Sequence, residues 1–412
     1  MIRYEIRFTV IVAKWIWFKS KQILIMKMYL FFILPLTGFF GIQGSAQSPG
    51  TNQVAVSEVF ERVRSHDFHP LDDDNSMTMD RHLNVAGIAD MDDNDWRVRL
   101  LAVRDLVRAG TSDVELIRDG LSDQSVHVRQ ISAMALGILR SDQAVEHLEF
   151  VVQNDINTMV RSQAVVSLGQ IGSTQSLDFL RQRLKKDTSR DVRHQIELSI
   201  DQIEKQMVAT DKLLIAYLTL DESVFGSVKK GSPAPDFILE DTEGLEWQLS
   251  RLQNQGWVLL IWVFADWCPV CHGEFHDLIE MREDFTKAGV QVFTIETHDT
   301  YRGRVMVGKE LEPEYWFAKE PFIDAYTRQI WWPHLLDRAG AVAARYGADP
   351  LAFSVHAEYI NRPATIIIDP KGIVRLAYTG TFWGDRPTIE QTLKMIETGD
   401  FSFEHPQRRK IK

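Results

Sequence analysis

Two cysteines occur in 412 residues, and they stand together in Trp267-Cys268-Pro269-Val270-Cys271. The apolar run from Trp257 to Phe264 precedes them directly. A buried strand that turns into a helix there puts both thiols on the first helical turn. At C-x-x-C spacing they can close a disulfide, and the helix N-terminus favours the thiolate of the first. This is the chemistry of dithiol–disulfide exchange, with Cys268 as the more acidic thiol and the nucleophile. Pro269 at the first helical position costs no hydrogen bond. Two other uses of the pair stay open. One is an inert disulfide, although so short a loop gives little entropic stabilisation. The other is half a zinc site, which asks for four ligands. His272 and His276 are near, but His272 adjoins Cys271 and points elsewhere on a helix.

The elements that must position the thiols follow from patterning. The order expected is a strand over 257–264, a helix over 269–287 and a strand over 291–296. A long irregular and helical stretch runs to about 348. Strands over 364–369 and 373–378 then flank a turn at 370–372, and a helix covers 388–398 with Gly399 as its C′ residue. Upstream, Gly231-Ser-Pro-Ala-Pro-Asp-Phe237 contains two prolines that rule out a helix and mark a boundary. Strand, helix, strand, hairpin and helix make an α/β layer fold.

Taken together, the Ala-Pro-Asp-Phe segment, Phe264-Ala-Asp-Trp-Cys-Pro-Val-Cys271, Glu274 and Arg362-Pro363-Ala-Thr-Ile-Ile-Ile-Asp-Pro-Lys-Gly372 resemble the thioredoxin superfamily. The branch most similar is the exported TlpA/ResA type, which merges with the AhpC/TSA redoxins. The resemblance covers about 170 residues. It implies that Cys268 attacks, Cys271 resolves, Pro363 is a cis-proline against the pair, and Glu274 handles protons. Two departures matter. Trp262 stands where thioredoxin keeps a buried Asp, so Glu274 gains weight. Ala265 stands where peroxiredoxins need Thr, which disfavours peroxide reduction, though Arg345 and Arg362 remain candidates for it.

Arg362 near Cys268 would stabilise thiolate; its alternative is a rim salt bridge with Asp299. Trp267 is a candidate for substrate contact. The insertion from Tyr301 to His334 carries Tyr315, Trp316, Phe317, Phe322, Tyr326, Trp331 and Trp332. These aromatics are either core or the lining of a groove beside Cys268.

The first half repeats. Val98-Arg99, Val128-Arg129, Val160-Arg161 and Val192-Arg193 recur at spacings of 30, 32 and 32, each Arg six residues after Asp93, Asp123, Asp155 or Asp187. Such a period means an all-α solenoid of helix pairs. The Asp braces a turn and the Arg of a neighbouring helix reaches it. The pattern resembles HEAT repeats of the phycobilisome-lyase type, serving either as a stacking scaffold or as a docking surface for a protein partner.

The net charge of −11, without any basic stripe, argues against nucleic-acid binding. Lys14, Lys19, Lys21 and Lys27 precede the apolar run from Met28 to Ile42, followed by Gly44-Ser45-Ala46. This is the pattern of a secretory signal peptide, or of an uncleaved anchor, with Met26 as an alternative start. Either places the body outside the cytoplasm, periplasmic or secreted. The expected order is signal peptide 1–46, linker 47–90, HEAT domain 91–207, connector 208–230, redoxin domain 231–400 and tail 401–412. No cofactor or metal is called for. The substrates expected are protein disulfides or thiols, with a protein reductant or oxidant as partner. The function expected is exported thiol–disulfide exchange. A redoxin-type thiol peroxidase and a non-catalytic interaction module are the alternatives.

Overall fold

In this computed structural model, which describes residues 54–68, 94–310, 329–380 and 385–403, the repeats form stacked helix pairs. Helices α2 (Asp95–Gly110), α4 (Val126–Ile138), α6 (Thr158–Ile171) and α8 (Arg190–Glu204) carry the Val-Arg pairs, while α3 (Val114–Asp119), α5 (Val145–Asn154) and α7 (Leu177–Lys186) alternate with them. In three of the repeats the Asp accepts the backbone N–H two residues on: Asp123 from Ser125, Asp155 from Asn157 and Asp187 from Ser189. Arg129, Arg161 and Arg193 each donate to the main-chain oxygen of their own repeat's Asp. Arg129 and Arg161 also pair forward, at 2.7 Å with Asp155 and 3.1 Å with Asp187. The Asp thus braces its own turn and locks two repeats together. Arg99 donates to Leu351 O in the second half of the chain. Asp93 lies outside the described residues.

Close stacking needs small residues. A Cβ on Gly137 would sit 2.8 Å from Ser167 Cα, inside the backbone of the next repeat. The solenoid also extends beyond its expected limits. Within the expected linker, α1 (Val56–Ser65) buries Val56, Val59, Phe60 and Val63, and Arg62 pairs with Asp105. An apolar stripe at helical spacing ties it to the stack. Within the expected connector, α9 (Asp211–Leu218) is held by Arg108, which donates to Leu218 O and Leu220 O.

The second half is a layered α/β domain. Its strands are β1 (Ile238–Asp241), β2 (Glu246–Gln248), β3 (Trp257–Trp262), β4 (Val290–Glu296), β5 (His334–Leu336), β8 (Ala364–Ile368) and β9 (Val374–Thr379), in the order β2-β1-β5-β4-β3-β8-β9. β3 is central because both its faces are apolar. Leu259 and Ile261 face one core, while Val258, Leu260 and Trp262 face the other. It runs parallel to β4 and antiparallel to β8, with Trp262 opposite Ala364. The expected helix 269–287 is broken at Met281 into α10 (Pro269–Glu280) and α11 (Arg282–Lys287). Helices α12 (Thr300–Met306), α13 (Ala341–Tyr346) and α14 (Ile389–Thr398) complete the layers, α14 with a capping box at Thr388 and left-handed Gly399 after it.

A small second sheet joins the two halves of the chain. β6 (Phe353–Val355) and β7 (Glu358–Ile360) form a separate hairpin whose turn residues His356 and Ala357 are both left-handed, at φ 51° and 59°. It lies between the solenoid and the cysteine loop. Ser354 Oγ meets Met159 Sδ at 3.1 Å, and His356 lies 3.3 Å from Asp191, on one side. Phe353 packs on Phe264, and His356 on Trp267, on the other. One hydrophobic core therefore runs from the solenoid through the hairpin into the α/β domain. No described helix is long and apolar enough to cross a membrane, and the apolar run 28–42 lies outside the described residues.

Candidate active site

β3 ends at Trp262, and residues 263–268 turn the chain into α10. Cys268 is the N-cap of that helix, with extended dihedrals of φ −75° and ψ 109°. Its sulfur accepts the N–H of Cys271 at 3.3 Å, so the thiol takes the place of a capping hydroxyl. The two sulfurs lie 2.6 Å apart, and both residues are wholly buried.

A buried charge cluster stands behind Cys271. Glu274, one turn on, is paired with Arg386. Arg386 also donates to Trp262 O and lies 4.0 Å from Cys271 Sγ. The three groups bias the protons. Burial opposes ionisation of Cys271, but the hydrogen bond from Cys268, the Arg386 guanidinium and the Phe264 N–H bring it down to about 7. Burial and the neighbouring Cys271 sulfur push Cys268 well up. This reverses the expectation that Cys268 is the more acidic. The helix terminus favours Cys268, but a whole positive charge beside Cys271 outweighs a half-charge dipole. Burial raises Glu274 to about 8 against the opposing pull of Arg386. Cys271 and Glu274 thus share Arg386, and near neutrality one negative charge serves the pair.

Nothing local in the sequence singles out Arg386. It sits 118 residues past Cys268, in a loop before α14 where only Arg386-Pro387 hints at a helix start. Other expected site residues lie differently. Pro363 follows the register past the end of β3, but no described peptide bond is cis, so Arg362–Pro363 is trans. The trans tertiary amide is the lower-energy isomer. Here Gly380 N–H donates to Pro363 O at 2.7 Å, and Arg362 N–H to Ala348 O at 3.0 Å. Arg362 is drawn to Asp349, at 2.8 Å, rather than to a sulfur. Asp299, its expected rim partner, pairs with Arg338 instead.

Trp267 is buried and donates its indole N–H to Glu358 in the hairpin. His272 donates to Asp266 O, and burial takes it down to about 4, so it is neutral. Of the insertion aromatics, Trp332 is core, packing on Phe275, and Trp331 is half-buried against Phe285. Tyr315, Trp316, Phe317, Phe322 and Tyr326 lie outside the described residues. A small cleft of about 100 Å³ lies between the solenoid and the α/β domain and is lined by Gln163, Gln195, Arg302, Glu358 and Tyr359 among others. Among the described residues no group of three His, Cys, Asp or Glu is placed to hold a metal ion.

Residues 230–377 match the AhpC/TSA family, and residues 87–164 and 151–201 match HEAT repeats. Thiol-disulfide oxidoreductase ResA of Geobacillus thermodenitrificans is 30% identical over 171 residues, which span 42% of this chain and 80% of that one. The chain belongs to the AhpC/TSA family through its C-terminal domain. ResA of Bacillus subtilis is 27% identical over 187 residues, 45% of this chain and 87% of that one. Chloroplastic peroxiredoxin Q of Sedum lineare is 27% identical over 176 residues, 43% and 82% respectively. The redoxin domain is that of a thiol–disulfide oxidoreductase, carried behind a HEAT solenoid.

Proposed function

We propose that this protein exchanges a Cys268–Cys271 disulfide with protein thiols outside the cytoplasm. The observation that carries the reading is the sulfur pair at the head of α10, with Arg386 and Glu274 behind it. The basic and apolar N-terminal pattern supports export. Cys268, at the cap of α10, is the sulfur that meets the client. Cys271 faces Arg386 and resolves.

In the reducing direction, Cys268 sulfur attacks a client disulfide while its proton passes to the Cys271 thiolate. One client sulfur leaves as thiolate and is protonated by water. With Cys271 neutral, Arg386 favours ionised Glu274, which sheds its proton to solvent. Glu274 then takes the Cys271 proton as Cys271 attacks Cys268. The mixed disulfide breaks, the second client thiolate leaves, and solvent protonates it. The balance is one thiol, one thiolate, one client disulfide and one proton giving the enzyme disulfide and two client thiols. The reverse sequence oxidises a client dithiol, and a protein partner restores the enzyme in either direction.

The test is insulin reduction with a dithiol reductant. The full chain should turn over and Cys268→Ser should not. Equal rates for the two proteins would remove the reading. The peroxidase reading has Ala265 against it, as well as Arg362 held by Asp349. Peroxide consumption exceeding insulin reduction would restore it.

A further inference from the structure

Two solenoid side chains end on the redox loop. His194 Nε2 lies 3.2 Å from Asp266 Oδ2, both side chains buried. Gln195 donates to Glu358 Oε2 at 3.2 Å and accepts from Arg302 Nη1 at 3.0 Å. Arg302 pairs with both Asp266 and Glu358, and Glu358 accepts the Trp267 indole N–H. These groups join α8, the loop before Cys268, α12 and the hairpin into one closed polar network. Asp266 and Trp267 are the two residues immediately before Cys268.

The network is balanced by number. Two buried carboxylates face one guanidinium, so each needs a second partner. For Asp266 that partner is His194; for Glu358 it is Gln195 with Trp267. A buried acceptor that loses its partner turns toward water if it can. Asp266 can do so only by moving the loop that carries Cys268.

We propose that His194, assisted by Gln195, is a positioning residue of the redox site. By holding Asp266 it keeps Cys268 at the cap of α10 and both sulfurs out of solvent. The solenoid is then a working part of the site rather than its carrier. This rests on the reading of Cys268 and Cys271 as the redox pair.

The test uses the full reduced chain and the rate of iodoacetamide alkylation of both thiols at fixed pH, in a series of low denaturant concentrations. His194→Ala should alkylate about tenfold faster, with little dependence on denaturant, as local opening requires; tenfold corresponds to about 1.4 kcal/mol. His194→Gln, whose amide N–H can reach Asp266, should return to within about twofold of the parent, the scatter allowed for one neutral hydrogen bond. Arg108→Met, which breaks a contact with Leu218 O and Leu220 O at the end of α9, away from the loop and the hairpin, should leave the rate unchanged. An unchanged rate in His194→Ala would overturn the proposal. So would equal acceleration in His194→Gln or in Arg108→Met, which would mean general loosening of the domains. If His194→Ala does not fold, Gln195→Met opens the Glu358 side, and an unchanged rate there is equally decisive. Alkylation does not depend on turnover. A chain that fails to reduce insulin therefore removes the function proposed above, while the alkylation rates still decide the role of His194.

Discussion

Replacing Arg386 with Met should raise the Cys271 pKa and leave the fold in place. The guanidinium lies 4.0 Å from Cys271 Sγ, inside the protein. At that distance and an effective dielectric constant near 20, a unit pair interacts by about 4 kcal/mol. Glu274 shares the same guanidinium, and the Cys268 and Phe264 donors to Cys271 remain. About a third of the full value is therefore expected, roughly 1.4 kcal/mol or one pKa unit. The Cys271 midpoint should move from about 7 to about one unit higher. At pH 7 the thiolate fraction falls from about half to about a tenth, so alkylation slows about fivefold. The assay is iodoacetamide labelling from pH 5 to 10 of Cys268→Ser, whose hydroxyl replaces the Cys268 donor, with and without Arg386→Met, so that the shift between the two is what is read. Access to the buried sulfur scales every rate alike, so the midpoint reports the pKa. Arg386→Lys, which keeps the charge, should fall between the two. A midpoint unmoved in Arg386→Met, or moved down, would refute the electrostatic account.

Glu274→Gln should slow insulin reduction about 10²-fold or more and remove the inflection near pH 8, as loss of a proton carrier does. Its stability profile carries a second signature. The folded carboxyl keeps its proton to about 8 while the unfolded one loses it near 4.5. The folded state thus binds more protons between those values, and stability declines as pH rises through that window. The decline should shrink in Glu274→Gln, as chemical denaturation at pH 5 and 8 would report. Arg161→Leu leaves Asp187 with Arg183 alone among its side-chain ion-pair partners, and should cost about 2–4 kcal/mol, read from the denaturation midpoint. Gly137→Ala places a methyl against Ser167 Cα and should destabilise by about 1–3 kcal/mol, whereas Gly273→Ala, with open space around it, should not.

The legible parts of the chain were those where one local signal dominates. The Asp and Arg of each repeat recur in register, so the solenoid and its braces could be read in advance. The central strand, the C-x-x-C helix start and the closing hairpin and helix follow from patterning and proline placement. Short strands such as β1, β2 and β5 escaped because three or four residues of mixed polarity carry no period. Helix α1 escaped because its apolar stripe is brief and sits beside a polar, aspartate-rich stretch. Arg386 and the His194–Asp266 contact escaped for a different reason. Each is a tertiary meeting of residues about 70 to 120 positions apart, and a lone Arg or His carries no sign of the partner it will face. The same blindness misplaced the more acidic thiol. Sequence shows the helix terminus beside Cys268 but not the cation beside Cys271.

The hairpin turn bears on how the protein is made. His356 and Ala357 both adopt left-handed backbone, a two-residue turn that usually takes Asn-Gly. For such residues this costs about 1–2 kcal/mol each, so the hairpin is a poor structure on its own. The solenoid precedes it in the chain and is synthesised first. By the time residues 353–360 leave the ribosome, Met159, Asp191 and Gln195 already present the surface that His356 and its neighbours grip. The solenoid thus serves as a template on which a reluctant segment is set, and the loop holding the two sulfurs is enclosed only once that template is in place.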